Sequence, residues 1–226
     1  FLTGAAYGWV ANDVEKLVGD NETMRDVIAR AGGASLTDSY LSTSLFMMAL
    51  IATGYALQSA LRLRSEETGL RAEPVLATPV SRRHWVASHL AVALAGSVAV
   101  LAAAGLGVGL TYGIVSRDLG QVPRMAGAAL AYTPALWLLV GLAIALFGLL
   151  PRAVAAAWAA FAGFVVVGLL GAVFKFPAWV NDLSPFQHVP QLPAADLTIV
   201  PLAVLAATAA ALIAVGLAAF RQRDLG

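Results

Sequence analysis

The chain has 226 residues, of which 60% are hydrophobic and 12% are charged, and its formal net charge is +1. Soluble globular proteins have about 25% charged residues, so this composition excludes an ordinary soluble domain and predicts a membrane protein. The chain contains no cysteine, which excludes disulfides, thiolate metal sites and thiol nucleophiles. A net charge this close to zero gives no indication of nucleic acid binding.

Five stretches of the chain contain no Asp, Glu, Lys or Arg. Each has the roughly 20 residues that are needed to cross a hydrocarbon core of about 30 Å. They are residues 40–61, 84–115, 125–150, 153–174 and 197–220. Residues 1–10 are predicted to be the end of a further helix whose beginning the sequence lacks. We therefore predict an all-α fold, a polytopic transmembrane helical bundle that forms a single domain.

A polar segment, residues 12–38, lies before the first complete span. Its apolar residues recur at roughly helical spacing, which indicates one or two short amphipathic helices on the membrane surface. An ordinary solvated loop explains the same residues equally well.

The distribution of Lys and Arg predicts the orientation, because these residues concentrate in cytoplasmic loops. If residues 62–83 are cytoplasmic, alternation of the spans places eight bases and four acids inside, and six bases and nine acids outside. We therefore predict that the 62–83 loop and the C-terminus are cytoplasmic.

Small and polar residues inside the spans predict helix contacts. Gly105, Gly109 and Gly113 have the four-residue spacing that lets two helices approach closely, and Pro134 predicts a kink in the third span. Four polar residues are candidates for contact with a substrate, although interhelical hydrogen bonds would explain them as well. They are Tyr55, Gln58, Tyr132 and Thr133.

Residues 175–196, which we name the cap segment, contain four prolines and are therefore not predicted to form a long helix. Phe176, Trp179 and Phe186 suit a segment in the lipid headgroup layer. We predict that this segment caps the outer end of the bundle.

Catalytic chemistry is poorly represented in the chain. His84 and His89 lie near the start of the second span and His188 lies in the cap segment, with no acid nearby at helical spacing. This pattern predicts neither a metal site nor a catalytic dyad, so we do not expect an enzyme. The spans also lack the buried carboxylates on which ion-coupled transporters usually rely, so the energy for any transport is expected to come from elsewhere.

A dense charged stretch, residues 62–85, lies between the first two complete spans. Glu67 and Arg71 have the favourable i,i+4 order on a helix, and Pro74 would end that helix. A short helix that contacts a soluble partner explains the stretch, and so does a solvated loop whose charges only set the topology.

Family resemblance favours the first explanation. The segment Glu66-Glu67-x-Gly69-x-x-x-Glu73-Pro-Val-Leu-Ala-Thr78-Pro79-Val-Ser81-Arg82 closely resembles a motif of ABC-2-type permeases, specifically of the bacterial subfamily of polyketide antibiotic exporters. Ser184-Pro185-Phe186-x-His188-Val189-Pro190 and the C-terminal Phe220-Arg-x-Arg-Asp-Leu-Gly resemble the outer cap and tail of the same subfamily. The similarity extends from about residue 40 to residue 226, with Val75 departing from the usual Leu.

The resemblance implies a type V exporter-like six-helix repeat with the first helix mostly missing, most simply the C-terminal repeat of a longer permease in a bacterial plasma membrane. Its partners would be a second permease repeat or protomer and a separate ABC ATPase subunit. ATP and Mg²⁺ are expected on that subunit, because these 226 residues contain no Gly-x-x-x-x-Gly-Lys-Ser/Thr motif. The resemblance assigns coupling to the ATPase to Glu66, Glu67, Gly69, Arg71, Glu73, Thr78, Pro79, Ser81 and Arg82.

The sequence thus predicts the membrane subunit of an ATP-driven multidrug exporter for amphipathic drugs or antibiotics. Lipid or glycolipid export is the alternative within transport. A non-transporting membrane scaffold or sensor is the alternative from another class.

Overall fold

The computed structural model describes residues 1–19, 36–68 and 82–222. All regular structure in these ranges is helical, which confirms the prediction of an all-α transmembrane bundle. Two 3₁₀ turns, Pro151–Ala153 and Pro185–His188, accompany the α-helices. The α-helices are α1 (Leu2–Gly19), α2 (Leu36–Thr68), α3 (Arg82–Ser116), α4 (Gln121–Leu130), α5 (Thr133–Leu149), α6 (Ala156–Phe174), α7 (Ala178–Asp182) and α8 (Ile199–Gln222).

Four segments of the described residues are long and apolar enough to cross a membrane. They are Leu36–Arg62 in α2, Val86–Ser116 in α3, Gln121–Leu149 across α4 and α5, and Ile199–Phe220 in α8. α6 contributes a shorter apolar stretch, Ala156–Gly171. These segments are helical because a backbone in lipid must form its hydrogen bonds internally.

The third candidate span is interrupted between α4 and α5, at Ala131 and Tyr132. Pro134 explains the break, because proline has no N–H to donate and its ring clashes with the carbonyl of the residue four positions earlier. That residue is Leu130, the last residue of α4.

α3 and α6 end in the same way, with a basic residue in the left-handed conformation. Arg117 follows α3 with φ 57°, and Lys175 follows α6 with φ 51°. The next residue along then donates its N–H to a carbonyl of the last turn, Asp118 to Gly113 at 2.9 Å and Phe176 to Gly171 at 3.2 Å. Glycine usually occupies this position, but a cation there is favoured by the negative end of the helix dipole.

The chain divides into two compact units. Unit 1 consists of residues 1–51, 98–133 and 189–199. Its interior contains fully buried side chains such as Leu41 and Leu45 of α2, Leu101 of α3 and Met125 of α4. α1 packs closely on α3, because a Cβ at Gly4 would overlap the carbonyl oxygen of Ala104.

A polar network lies at the surface of unit 1. Arg124 forms an ion pair with Asp38 at 3.2 Å and donates hydrogen bonds to Gln121 and to the carbonyl oxygen of Pro193. It therefore joins α4 to the start of α2 and to the 189–199 segment. Because both side chains of the ion pair are partly exposed, the pair alone contributes little, about 0–1 kcal/mol.

Unit 2 consists of residues 52–97, 134–188 and 200–226. Its core combines side chains of α2, α3, α5 and α8. Among them are Ala60, Val86 and Phe147, and the ring of Phe147 stacks on that of Phe220 at a centroid distance of 5.4 Å. α5 and α8 touch through their backbones, because a Cβ at Gly216 would lie 2.5 Å from the carbonyl oxygen of Ile144. Small residues allow this approach, as is usual between helices in lipid.

Candidate functional site

The predicted coupling residues are distributed around the connection between α2 and α3. Glu66 and Glu67 belong to the end of α2 and Arg82 is the first residue of α3, but their side chains lie outside the described part of the structure. Gly69, Arg71, Glu73, Thr78, Pro79 and Ser81 also lie outside the described residues. Their role in coupling therefore stays a prediction.

A polar notch lies between α2 and α3, on the parts of these helices that lead into the connection. It encloses about 310 Å³ and is lined by Tyr55, Ser59, Arg62, Ser88, His89 and Val92. The lining thus combines a guanidinium and an imidazole with three hydroxyl groups. Such a set can hold an anionic or hydrogen-bond-accepting group, since arginine is a strong donor to phosphate and carboxylate.

Tyr55 is the one predicted substrate contact that lines the notch. Its side chain is 40% exposed and lies over Gly96 of α3, where a Cβ would be 2.6 Å from the phenolic oxygen. Gln58 is exposed on α2 but is not part of the lining.

The remaining notch residues were not predicted as a site. The sequence predicted neither a metal site nor a catalytic dyad at His89, and Arg62 was considered only as part of the charged 62–85 stretch. A signal was nevertheless present, because Tyr55, Ser59 and Arg62 have i, i+4, i+7 spacing and therefore share one helix face. The sequence did not indicate that this face lies next to Ser88 and His89 of α3.

Tyr132 and Thr133 belong to unit 1, at the break between α4 and α5. Tyr132 is only 2% exposed, and its ring centroid is 6.3 Å from that of Phe46. In this conformation its side chain is not accessible to a substrate, and it packs against neighbouring side chains. Thr133 is half-buried at the first position of α5.

Gly105, Gly109 and Gly113 lie along α3 in unit 1. A Cβ at Gly105 would lie 2.7 Å from the carbonyl oxygen of Met125, and one at Gly109 would lie 2.8 Å from Cα of Val122. Both neighbours are backbone atoms of α4. Gly113 faces the turn after α3, since a Cβ there would lie 2.9 Å from the carbonyl oxygen of Asp118.

A second cavity, which we name the cap pocket, lies in unit 2 beside the first part of the cap segment. It encloses about 350 Å³ and has eight apolar side chains and two ionisable ones in its lining. The apolar residues are Leu138 of α5, Phe164 of α6, Leu183 and Pro185 of the cap segment, and Val200, Pro201, Val204 and Leu205 of α8; the ionisable residues are Asp182 and His188.

The sequence did not predict the cap pocket. Of the aromatic residues predicted for the headgroup layer, Phe186 is buried in the protein, whereas Trp179 is 71% exposed. The spacing of Val200 and Val204 marks one face of α8, but nothing local indicates that residues near 138, 164 and 185 meet this face. Among the residues that the structure describes, no cluster of three or more His, Cys, Asp or Glu could hold a metal ion.

Comparison with known proteins gives two matches. A family model described as the C-terminal domain of the multidrug efflux system permease Rv1217c matches residues 1–221. The multidrug efflux system permease protein Rv1217c of Mycobacterium tuberculosis (strain ATCC 25618 / H37Rv) is 43% identical over 226 residues, which are 99% of this chain and 41% of that protein.

The chain therefore spans less than half the length of this relative. Both descriptions name a permease of a multidrug efflux system, which confirms that part of the resemblance drawn from the sequence motifs. Neither description mentions polyketide antibiotics or an ATPase, so these finer assignments stay predictions.

Proposed function

Because the chain belongs to the family described as the C-terminal domain of the multidrug efflux permease Rv1217c, we propose that it forms part of the membrane-spanning permease of a multidrug exporter. A separate ATP-binding-cassette subunit, carrying ATP and Mg²⁺, energises the export. The family match over residues 1–221 carries this proposal. The four candidate spans support it, because a permease must enclose its route within the membrane.

The geometry of α2 and α3 supports the coupling part of the proposal. α2 continues from the end of its candidate span at Arg62 to Thr68, and α3 begins at Arg82, before its span starts at Val86. The extension of α2 is about 9 Å long at 1.5 Å per residue. A continuous helix transmits a displacement along its axis, so a force applied by a partner at residues 69–81 would reach the polar notch.

Two cargo classes follow from different observations. The motif resemblance favours polyketide-type antibiotics as the first compounds to test. The polar notch favours lipid or glycolipid export as the second candidate, because Arg62 and His89 lie beside Val92, whose side chain is 61% exposed. A basic group next to an exposed apolar surface is suited to an amphiphile with an anionic head.

The coupling proposal is tested by reversing one charge in the whole permease. The protein is purified from its native membrane with its partners, and ATP hydrolysis is measured with and without an exported drug. Glu67→Arg is expected to reduce drug-stimulated hydrolysis at least tenfold, on the order of 1.4 kcal/mol, while membrane assembly is retained. Asp196→Arg, which reverses an exposed acid of the cap segment, is the matched control and should leave hydrolysis unchanged.

Two results would contradict the proposal. If no nucleotide-binding protein copurifies, the assignment of a separate ATPase is wrong. If such a protein copurifies but the drug never stimulates its hydrolysis, the scaffold or sensor alternative is favoured instead.

A further inference from the structure

The cap pocket is not used by the coupling proposal or by the polar notch. It has the dimensions and lining of a small-molecule site, since ligand pockets typically enclose about 300–1,000 Å³ and are mainly apolar with few polar groups. Here eight of the ten lining residues are apolar, and the cavity encloses about 350 Å³. A compact aromatic ligand of several rings would fill it.

Charge decides which ligand this apolar pocket prefers. Among the described residues of the lining, Asp182 is the only acid, and it is exposed at the edge of the pocket. The other ionisable residue, His188, places Nε2 at 2.8 Å from the backbone carbonyl oxygen of Asp182. Because a carbonyl oxygen can only accept, this nitrogen carries a proton and donates it. The carboxylate of Asp182 is therefore the group that a bound cation would meet.

The cap residues that form the pocket are held in place before any ligand binds. Asn181 donates its side-chain N–H to the carbonyl oxygen of Phe176 at 3.2 Å, and the His188 contact closes the loop from residue 182 to residue 188. Ser184, Pro185 and Phe186 between them are buried. A preorganised site loses less conformational freedom when it binds, so more of the contact energy appears as affinity.

An entirely apolar occupant suits this pocket less well than a cation does. The pocket is open along α8, where Val200 is 74% and Val204 is 60% exposed. A lipid chain or an apolar helix of the remaining permease could cover these valines, but it would also reduce the hydration of the Asp182 carboxylate. Desolvating an unpaired carboxylate is costly, whereas a positively charged ligand compensates that cost.

We propose that the cap pocket binds hydrophobic compounds with one positive charge, with the aromatic body between α6 and α8 and the cation beside Asp182. The assignment of these compounds as cargo rests on the proposed export function, whereas the binding site itself does not. The cap pocket would then be a site at which an exporter of this family selects its cargo by charge.

Two probes of the same shape and opposite charge test the proposal directly. The intact permease is titrated with tetraphenylphosphonium, a cation, and with tetraphenylborate, an anion, by equilibrium dialysis in the absence of ATP. We expect the cation to bind the wild type and Asp182→Asn to weaken its binding about tenfold, because the bound cation would shield the carboxylate from water and the two charges would then interact at a lower dielectric constant. Binding of the borate should stay the same or increase in Asp182→Asn.

Two further variants keep the test specific. Val204→Trp places a large ring in the pocket from an exposed position and should weaken the binding of the phosphonium. Asp196→Asn removes an exposed acid outside the lining and should not change it. Unchanged phosphonium binding in Asp182→Asn would overturn the proposal, and so would equal binding of both probes to the wild type. A third contradicting result would be that added neutral lipid displaces the phosphonium while Val204→Trp has no effect on its binding.

Failure of the export function gives a different result. If Asp182→Asn weakens phosphonium binding but the wild type with ATP exports no phosphonium, the cap pocket is a cation-binding site that does not serve export. If the phosphonium is exported but its export does not depend on Asp182 or Val204, the export function is supported and the cap pocket is not the site at which the exporter binds this cation.

Discussion

The polar notch and the cap pocket are cavities of similar size in the same unit, yet their linings are opposite in character. The notch encloses about 310 Å³ and contains Arg62, His89 and three hydroxyl groups. The cap pocket encloses about 350 Å³ and contains eight apolar side chains with Asp182 and His188. Volume alone therefore says little about the ligand, whereas the charges in the lining suit the notch to an anionic group and the cap pocket to a cationic one.

α8 shows how far apart these two regions are. Near its C-terminal end, Phe220 packs against the cluster that contains Ala60 and Val86, residues close in sequence to the notch lining. Its early residues Val200 and Val204 line the cap pocket. The 16 residues from Val204 to Phe220 correspond to about 24 Å of helix, so the two cavities lie toward opposite ends of unit 2.

The largest expected effect comes from separating α8 from α5. Gly216→Ala would place a Cβ 2.5 Å from the carbonyl oxygen of Ile144, and this backbone atom cannot move aside. We expect a loss of about 1–3 kcal/mol in the free energy of unfolding, measured in mixed micelles on the whole permease. Phosphonium binding in the cap pocket should also fall, while the notch, whose described lining lies on α2 and α3, should keep its shape.

Gly163→Ala on α6 is the control for this comparison. A Cβ at Gly163 would meet nothing within 4 Å, so only helix propensity changes, and stability should rise by up to about 1 kcal/mol. Equal effects of the two variants would show that the α5–α8 contact is not required for the architecture of unit 2.

A smaller effect is expected from Trp137, which lies next to Leu138 of the cap pocket in sequence. Its indole N–H points between the carbonyl oxygen of Leu94 at 3.4 Å and Oγ of Ser97 at 3.3 Å, both on α3. Trp137→Phe keeps most of the ring but removes the donor, so we expect a loss of about 1 kcal/mol in the free energy of unfolding. Trp158→Phe, at a side chain that is 42% exposed, should lower the free energy of unfolding by less. Thermal unfolding of both variants tests this order, and a larger loss in Trp158→Phe would contradict it.

The smallest effect is expected when the notch is altered and the cap pocket is measured. Arg62→Gln removes a positive charge from the notch, and the length of α8 between Val204 and Phe220, about 24 Å, exceeds the Debye length of about 8–10 Å at physiological ionic strength. Phosphonium affinity should therefore rise by less than about twofold. A change as large as that of Asp182→Asn would show that the two cavities act as one site.

Much of the helical architecture could be predicted from the sequence. Charge-free stretches are local features, and the penalty for an unpaired backbone group in lipid makes each of them a helix. The position of the α4–α5 break could also be predicted, because the ring of Pro134 clashes with the carbonyl of the residue four positions before it. The ends of α3 and α6 were less evident, since Arg117 and Lys175 occupy positions that glycine usually marks.

The candidate sites were predicted less completely, for two reasons. The coupling residues from Glu66 to Arg82 were assigned through a motif, and they await the charge-reversal experiment. Tyr55 was selected for its polarity within a span, but polarity alone could not distinguish it from Tyr132, which packs against Phe46.

The sequence by itself determined the fold class and the chemical character of each helix face, because hydropathy and helical spacing depend only on neighbouring residues. The tertiary structure decided which faces meet. Leu138, Phe164, Asp182 and Val204 are far apart along the chain, and the cap pocket exists only because the backbones of α5 and α8 touch and the cap segment folds back beside them. Such contacts depend on the shape of the whole unit, which no local pattern records.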